Sequence, residues 1–482
     1  MDETTSGKRA SWSGQLSFIL AATAAAIGLG NLWRFPYLAA QYGGGTFILV
    51  YLVLVVTLGF TLMLSEIAVG RKTQQSQLTA YARLRRGWGF IGLLGTIVPM
   101  LIVPYYCVIG GWVLKYFVAY CQIVFTGSSP MGAEAANSAA FFNGFISAPF
   151  APFGYGMLFI LACALIVALG VKKGIERSNA ILMPILFALA VALSVYVVTL
   201  PGSGAGLKYY LVPSLDALAG SDGRFSLAQC GKTVLGAMGQ MFYSLSLAMG
   251  ITVTYGSYMR KSDSIERCVR RIEIFDTAIA VLAGLMIIPV VYLFAVKTGT
   301  PVKEAMNAGP GLMFITLPKV FATLGEAGAW VGVAFFALVI FAALTSAISL
   351  YEACVASLCD LTGLARRPAT FFTGAAVCFL ATFSALGYGP WADVRIFGQQ
   401  FLDFFDFVTN SVLMPIVAAA TCVFIGWVMK PRFVEEEVES CGQRFKAKRL
   451  YGFFVRYFAP VLVIAILVSE VCRYFRIGGW NI

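Results

Sequence analysis

The sequence predicts an all-α integral membrane protein with about eleven transmembrane helices. Apolar residues make up 59% of the 482 residues and charged residues only 12%, whereas about a quarter of the residues in soluble domains are charged. Apolar runs of about 20 residues, long enough to cross the hydrocarbon of a bilayer, recur eleven times. They begin near Ser13, Gly45, Gly89, Phe153, Ser178, Thr233, Phe275, Ala327, Ala369, Phe401 and Gly452. The first run leads directly into the second, unlike a cleaved signal peptide.

Positive charges occupy alternate loops. Lys and Arg cluster at 8–9, 71–72, 83–86, 172–177, 260–271, 366–367 and 444–449. Because cytoplasmic loops carry the excess of these residues, we expect a multi-pass protein of the cell membrane with a cytoplasmic N-terminus. In such a protein the net charge of +12 belongs to the loops and does not indicate a nucleic-acid partner.

Cysteine and histidine usage excludes several kinds of site. The eleven cysteines are scattered singly, mostly within apolar segments, which is typical of small buried side chains and not of disulfides or metal sites. The chain contains no histidine, so the commonest metal ligand and near-neutral proton carrier is missing. We therefore expect neither a metalloenzyme nor a histidine proton relay.

No long linker divides the chain, so we predict one membrane domain with modest loops. Its predicted parts are a cytoplasmic N-terminal segment (1–11), a ten-helix core (12–428) with halves at about 12–200 and 229–428, a cytoplasmic loop (429–451), an eleventh helix (452–474) and a short external tail (475–482).

Two of the apolar segments are interrupted midway. The first contains Gly28 and Gly30, and the sixth contains Ser244 and Ser246. A broken helix at mid-bilayer depth frees backbone groups that lipid cannot satisfy, so it must line an enclosed or watery cavity. The alternative is that the glycines allow close helix packing and that the serine hydroxyls bond to carbonyls of their own helix. Paired interruptions five helices apart favour a midplane binding site.

The motif that runs from Gly28 through Asn31 and Trp33 to Pro36, followed by Gly43-Gly44-Gly45, resembles the signature of the neurotransmitter:sodium symporters, especially their bacterial LeuT-like amino-acid transporters. Further similar positions are Glu66, Gly70-Arg71, Tyr105-Tyr106, Gln240 to Gly250, Phe314 to Pro318 and Leu344 to Ser346. The resemblance implies the LeuT fold, with two inverted five-helix repeats and helices 1 and 6 broken at mid-membrane. It also implies a symporter that is not an enzyme and that imports a neutral, hydrophobic amino acid with sodium.

The resemblance further implies two sodium sites and no organic cofactor. The first site would use Ala26, Asn31, Ser244 and Asp276. The second would use Ala24, Ile27, Ala342, Thr345 and Ser346. Asp276 stands where relatives have an asparagine ligand, and its fixed charge leads us to expect no chloride requirement. The alternative interpretation of Asp276 is that it merely lies at a helix end near the cytoplasm.

The substrate site implied by the resemblance combines backbone groups at the first break with a largely apolar side-chain pocket. Its residues would be Ala26, Gly28, Leu29, Gly30, Ile102, Tyr106, Tyr243, Ser244, Ser246, Met249, Ala347 and Leu350. Glycine at position 28, where monoamine carriers have aspartate, favours a substrate that brings its own carboxylate. Relatives commonly have phenylalanine at the position of Tyr243, which leaves the selectivity open.

Two pairs of charged residues resemble gates. Arg34 and Asp406 would close above the substrate, with Tyr106 and Tyr243 as a lid. Arg9 and Asp360 would close the cytoplasmic side, near Tyr258. For any one of these charges, snorkelling to the interface is the alternative.

Other functions stay open at this stage. One alternative is a sodium-dependent carrier of a non-standard zwitterion such as a β-amino acid, taurine or betaine, and another is a non-transporting amino-acid receptor on the same fold. Animal members of the family that the sequence resembles usually have a disulfide and glycans in the external loop 126–152. In this sequence the loop lacks cysteine and an Asn-x-Ser/Thr site, so the resemblance implies a prokaryotic inner membrane. The partners we expect are lipid and a small amino acid, and the oligomeric state is left open.

Overall fold

The computed structural model describes residues 9–131, 137–214, 218–219, 224–307 and 309–475. Every regular element in these ranges is a helix. The thirteen helices that build the molecule are α1 (Gln15–Ala26), α2 (Gly30–Gln41), α3 (Gly45–Thr73), α4 (Gly89–Thr126), α5 (Ala151–Ala168), α6 (Val171–Thr199), α7 (Leu227–Ser244), α8 (Ile251–Gly256), α9 (Ile265–Thr298), α10 (Glu326–Thr362), α11 (Arg366–Leu386), α12 (Phe401–Val428) and α13 (Lys448–Tyr474). Residues 1–8 of the predicted N-terminal segment and 476–482 of the predicted tail lie outside the described residues.

Nine helices in the described ranges are long and apolar enough to cross a membrane, and the bent pair α1–α2 would make a tenth. The predicted sixth span is divided into α7 and α8, and α8 has only 6 residues. The count of eleven spans and the inverted repeat therefore stay predictions. Both predicted interruptions are present as helix ends at the expected positions.

The first break turns the chain sharply. α1 ends at Ala26, α2 begins at Gly30, and the two axes are bent by 56°. The second break is longer, and its residues Ser246, Ala248 and Gly250 have φ values of 53°, 60° and 74°. The left-handed region is unfavourable for residues with a Cβ atom, so Ser246 and Ala248 must be held there by their surroundings.

Two side chains hold the second break. Glu66 of α3, which is 2% exposed, accepts a hydrogen bond from the Ala248 backbone N–H at 3.0 Å and another from the Thr252 hydroxyl. The Ser246 hydroxyl donates to the Ala25 carbonyl at the end of α1, at 2.9 Å. The two broken helices therefore meet end to end in the protein interior, where their free backbone groups find partners.

Small residues bring the helices into backbone contact. A Cβ atom added at Gly70 of α3 would lie 1.9 Å from the Val253 carbonyl oxygen of α8. At Gly111 of α4 it would lie 2.5 Å from the Gly156 nitrogen of α5. Membrane helices pack closely at small residues because no hydrophobic driving force acts between them in lipid. The contact at Gly70 therefore holds α3 and α8 together.

Short helices cover one end of the bundle. The predicted loop between α9 and α10 contains the helices Val302–Ala305 and Leu312–Ala322. Phe314 stacks on Phe142 of the helix Ser138–Ile146 with ring centroids 5.1 Å apart. The Phe314 carbonyl also accepts a hydrogen bond from the Tyr116 hydroxyl of α4 at 2.8 Å, so the cover is anchored on the long helix α4.

Candidate ion and substrate site

A fully buried acid lies beside the first break. Asp276 of α9 is 0% exposed, and it accepts hydrogen bonds from Asn31 Nδ2 at 2.8 Å, from the Ser244 hydroxyl at 2.8 Å and from the Tyr51 hydroxyl at 3.3 Å. Asn31 also donates to the Ser244 oxygen at 2.9 Å. The structure thus brings together three of the four residues predicted for the first sodium site, and Ala26 ends α1 at the adjacent break.

This cluster has the chemistry of a site for a small cation. It gathers a carboxylate, a hydroxyl and an amide in a place sealed from water, and a buried carboxylate in a membrane protein is costly unless it has a function or a partner. Oxygen ligands of this kind suit hard cations and not soft metals. Tyr51 was missed by the sequence reasoning, because an aromatic residue within an apolar run gives no sign of its hydroxyl partner.

A second oxygen cluster joins the end of α1 to α10. The Ser346 hydroxyl lies 3.0 Å from the Ile27 carbonyl oxygen and 3.3 Å from those of Ala24 and Ala25. The hydroxyl of Thr345 donates to the Ala342 carbonyl at 3.1 Å. Of the five residues predicted for the second sodium site, Ala24, Ile27 and Ser346 are therefore in direct contact, while Thr345 and Ala342 bond to each other within α10. The carbonyls at the end of α1 have lost their helical partners.

A small cavity lies between the two clusters. Its lining consists of Ala25, Ala26, Gly28, Asn31, Ile102, Tyr106, Tyr243, Ser246, Met249, Ile251, Ser346 and Leu350. Four residues predicted for the substrate site, namely Leu29, Gly30, Ser244 and Ala347, are not part of this lining. Ala25 and Ile251 line it but were not predicted, because breaks present neighbouring residues to a cavity and helical periodicity does not reveal them.

The cavity has one polar end and apolar walls. At the polar end the Tyr106 hydroxyl accepts a hydrogen bond from the Leu29 backbone N–H at 3.1 Å. A Cβ atom at Gly28 would lie 2.9 Å from that hydroxyl and 3.0 Å from the Ser346 hydroxyl, so glycine is what keeps this end open. The remaining walls consist mainly of aliphatic side chains, Met249 and the Tyr243 ring, with Asn31 and Ser246 as further polar groups.

The face of the protein that carries Arg9, called here the Arg9 face, is closed. Arg9 forms an ion pair with Asp360 and donates to the Ser257 hydroxyl at 2.8 Å. Its guanidinium also lies over the Tyr258 ring, 5.0 Å from the centroid, where a cation–π attraction adds to the charge pairing. The predicted cytoplasmic pair is therefore joined, with Tyr258 in contact as predicted.

A second ion pair on the Arg9 face was missed by the sequence reasoning. Glu352 of α10, which is 0% exposed, pairs with Arg366 of α11. It also accepts a hydrogen bond from the Tyr258 hydroxyl at 2.7 Å. An acid within an apolar run and the paired arginines 366–367 were the available signals. Tyr258 is thus held from both sides, by Arg9 and by Glu352.

The opposite face, called here the Asp406 face, has an open vestibule. Its cavity is lined by residues of α2, α4, α7, α12 and α13, among them Arg34, Tyr105, Tyr243, Asp406 and Glu470. Asp406 accepts a hydrogen bond from the Tyr105 hydroxyl at 3.1 Å, while Arg34 lies over the Tyr243 ring at 5.9 Å. Among the described residues no ion pair joins Arg34 to Asp406. Tyr243 lines both cavities and forms the floor between them.

Comparisons with known proteins agree with this architecture. Residues 9–129 and 155–480 match the model of the sodium:neurotransmitter symporter family. The uncharacterized sodium-dependent transporter YhdH of Bacillus subtilis is 33% identical over 465 residues, which cover 96% of this chain and 98% of that protein. The sodium- and chloride-dependent GABA transporter 2 of Mus musculus is 24% identical over 517 residues, which cover 98% of this chain and 82% of that protein.

A solved structure extends the likeness to three dimensions. The crystal structure of MhsT in complex with L-phenylalanine superposes with a TM-score of 0.83 at 36% sequence identity, covering 96% of this chain and 100% of that one. The predicted all-α LeuT fold is confirmed by this likeness. The chain belongs to the sodium:neurotransmitter symporter family, a family of membrane transporters and not of enzymes.

Proposed function

We propose that the chain is a symporter that uses two sodium ions to import a neutral, hydrophobic amino acid by alternating access, without chloride. The observation that carries the proposal is that both oxygen clusters touch the cavity. Asn31 lines the cavity and holds Asp276, and Ser346 lines it and contacts the end of α1. An ion and a substrate that share these residues favour each other's binding, and linkage makes the effect reciprocal.

The cavity lining supports the choice of substrate. Within the described part of the chain the lining contains no acidic or basic side chain, so a charged substrate side chain would stay unpaired, at a large cost in a buried site. Ile102, Met249, Ile251 and Leu350 offer apolar walls, and the Tyr106 hydroxyl faces the break where a carboxylate fits. The likeness to MhsT, solved with L-phenylalanine, supports an amino acid with an apolar side chain.

Chloride independence rests on Asp276. The Tyr51 and Ser244 hydroxyls both donate to this carboxylate. The donors that could bind a chloride ion here therefore already bind the fixed negative charge of Asp276. A resident negative charge next to a sodium ion balances that ion's charge without a mobile anion.

The orientation follows from the loops and the gates. The Arg9 face carries the positively charged loops, and these are cytoplasmic by the positive-inside rule. The structure is then the state that is closed toward the cytoplasm and open toward the outside, as an importer needs for loading. We place the protein in a prokaryotic inner membrane, in keeping with its similarity to a Bacillus subtilis transporter.

The experiment is a thermal-shift assay of the purified protein with each of the twenty amino acids in sodium chloride, potassium chloride and sodium gluconate. A ligand that binds only the folded state raises its stability. We expect apolar amino acids to raise Tm in both sodium salts and not in potassium chloride. If β-alanine, taurine or betaine raises Tm and no standard amino acid does, the substrate assignment is wrong. If ligands act equally in potassium, sodium coupling is wrong.

A further inference from the structure

A fully buried arginine lies at the end of α3 on the Arg9 face. The Arg71 side chain is 0% exposed, and its donors reach four acceptor atoms on three residues of two other segments. Nε donates to Glu437 Oε1 at 2.8 Å, Nη1 to the Asp263 carbonyl at 2.6 Å, and Nη2 to the Ser440 hydroxyl at 3.0 Å and to the Glu437 carbonyl. Arg71 thus joins α3, the loop after α8, and residues 432–440 between α12 and α13.

These contacts differ in kind from a surface ion pair. Glu437 lies on a short helix, Arg432–Glu439. On this helix Arg432 pairs with Glu436, and their side chains are 84% and 59% exposed, so water screens that pair and it contributes little. The Glu437 side chain is only 3% exposed. Lys72 Nζ also lies 3.7 Å from Glu437 Oε2, but its side chain is 47% exposed. Arg71 is therefore the buried partner of Glu437, and removing either charge of a buried pair is costly.

Arg71 is linked to the closed gate through short stretches of chain. Ser257 and Tyr258, which contact Arg9, precede Asp263 by six and five residues in the same segment. The Tyr258 carbonyl also accepts a hydrogen bond from the Trp12 N–H at 3.0 Å. α3 and α8 are in backbone contact at Gly70 and Val253. A movement that opens the Arg9 face by displacing the segment 257–263 therefore pulls on Arg71.

We propose that residues 432–440, called here the latch segment, hold the Arg9 face closed by binding Arg71, so that Arg71 and Glu437 are positioning residues of the transport cycle. The inference rests on the proposed function, in which this face must open once in each cycle. The latch segment follows α12, which carries Asp406 near its other end. The same helix thus reaches the vestibule at one end and the latch segment at the other.

The test is hydrogen–deuterium exchange of the full chain in lipid nanodiscs, in potassium and in sodium. The variants are Glu437→Gln, which removes the buried charge, Ser440→Ala, which removes one bond to Arg71, and the matched control Glu436→Gln on the same helix. In potassium we expect exchange in peptides covering 9–14 and 257–263 to rise about tenfold or more for Glu437→Gln, less for Ser440→Ala, and not at all for Glu436→Gln. Peptides within α10 should be unchanged.

The response to sodium tests the proposed function on which the latch rests. Both oxygen clusters are assembled in the state described here, so an ion that binds them favours this state and should restore slow exchange in the variants. Equal exchange in Glu437→Gln and Glu436→Gln would overturn the proposal, and so would a rise spread over all helices. If Glu437→Gln does not fold, Ser440→Ala decides by the same local rise or its absence. Local opening that sodium fails to reverse would still support the proposed role of the latch segment. It would contradict the sodium-coupled function.

Discussion

At the scale of single residues, the Asp276 carboxylate organises the oxygen cluster beside the first break, which we propose as the first sodium site. Asparagine at this position keeps the shape of the side chain but removes the charge that Asn31, Ser244 and Tyr51 surround. Because an interaction with a charged group contributes about 1.5–3 kcal/mol, we expect Asp276→Asn to weaken sodium binding about ten- to a hundredfold, measured by sodium titration in the thermal-shift assay. The same change at the exposed Asp393 is the control. An unchanged sodium titration would remove Asp276 from the ion site.

Gly28 tests the polar end of the cavity. In Gly28→Ala the new methyl group would meet the Tyr106 and Ser346 hydroxyls at 2.9 and 3.0 Å. We expect the variant to fold, at a cost of about 1–3 kcal/mol for the crowding, and to lose stabilisation by amino acids. Gly14→Ala is the control, because a Cβ atom there meets nothing within 4 Å. If Gly28→Ala still binds the substrate of the wild type with the same affinity, the substrate lies elsewhere.

At this scale the sequence supported part of the site. The motif around Gly28 and Asn31 and the acid at 276 were visible as unusual residues in apolar runs, and the structure brings them together. The partners Tyr51 and Ile251 were not visible, because an aromatic or aliphatic residue in a membrane segment has no distinguishing pattern. Their roles depend on how far the chain turns at each break.

The broken helix α7–α8 is the element on which the cavity depends. Glu66 accepts the Ala248 N–H and the Thr252 hydroxyl, while Ala248 is held at a φ of 60°. We expect Glu66→Ala to lower stability by about 1–3 kcal/mol, because a buried N–H loses its partner, and to abolish substrate binding. Glu66→Gln keeps an acceptor and should retain most of both. The measurement is Tm with and without substrate, and equal binding by the two variants would show that the break does not need this carboxylate.

Helix breaks could be located from glycines and serines at mid-bilayer depth, but their geometry could not. The 56° bend between α1 and α2 is set by contacts with distant elements, such as the Ser346 hydroxyl on α10. Long-range contacts of this kind leave no local signal. For the same reason the Glu352–Arg366 pair could not be recognised before the helices were placed.

The two faces of the whole molecule are in opposite states. On the Arg9 face the ion pair with Asp360 is formed, and on the other face Arg34 stays over Tyr243 beside the open vestibule. The sequence supplied both pairs of charges but not which pair is joined, since one sequence encodes both states and their free energies differ by only a few kcal/mol.

A gate variant tests this state. Asp360→Asn removes the charge that pairs with Arg9, so we expect the Arg9 face to open more often and the apparent sodium affinity to fall severalfold. The check is deuterium labelling of peptides covering 9–14 and 257–263 in the wild type and the variant. Faster labelling in potassium, slowed by sodium, is the predicted result. Equal labelling with and without the substitution would show that the pair does not control access.

The central claim is that a sodium gradient drives an amino acid through this chain. The most direct measurement is uptake of radiolabelled amino acid into proteoliposomes, using the amino acid that sodium-dependent thermal shifts identify, with sodium outside only or at equal concentration on both sides. The account predicts accumulation above the external concentration with the gradient, and only equilibration without it. Accumulation that persists when potassium replaces sodium, or no entry of an amino acid that binds, would contradict it.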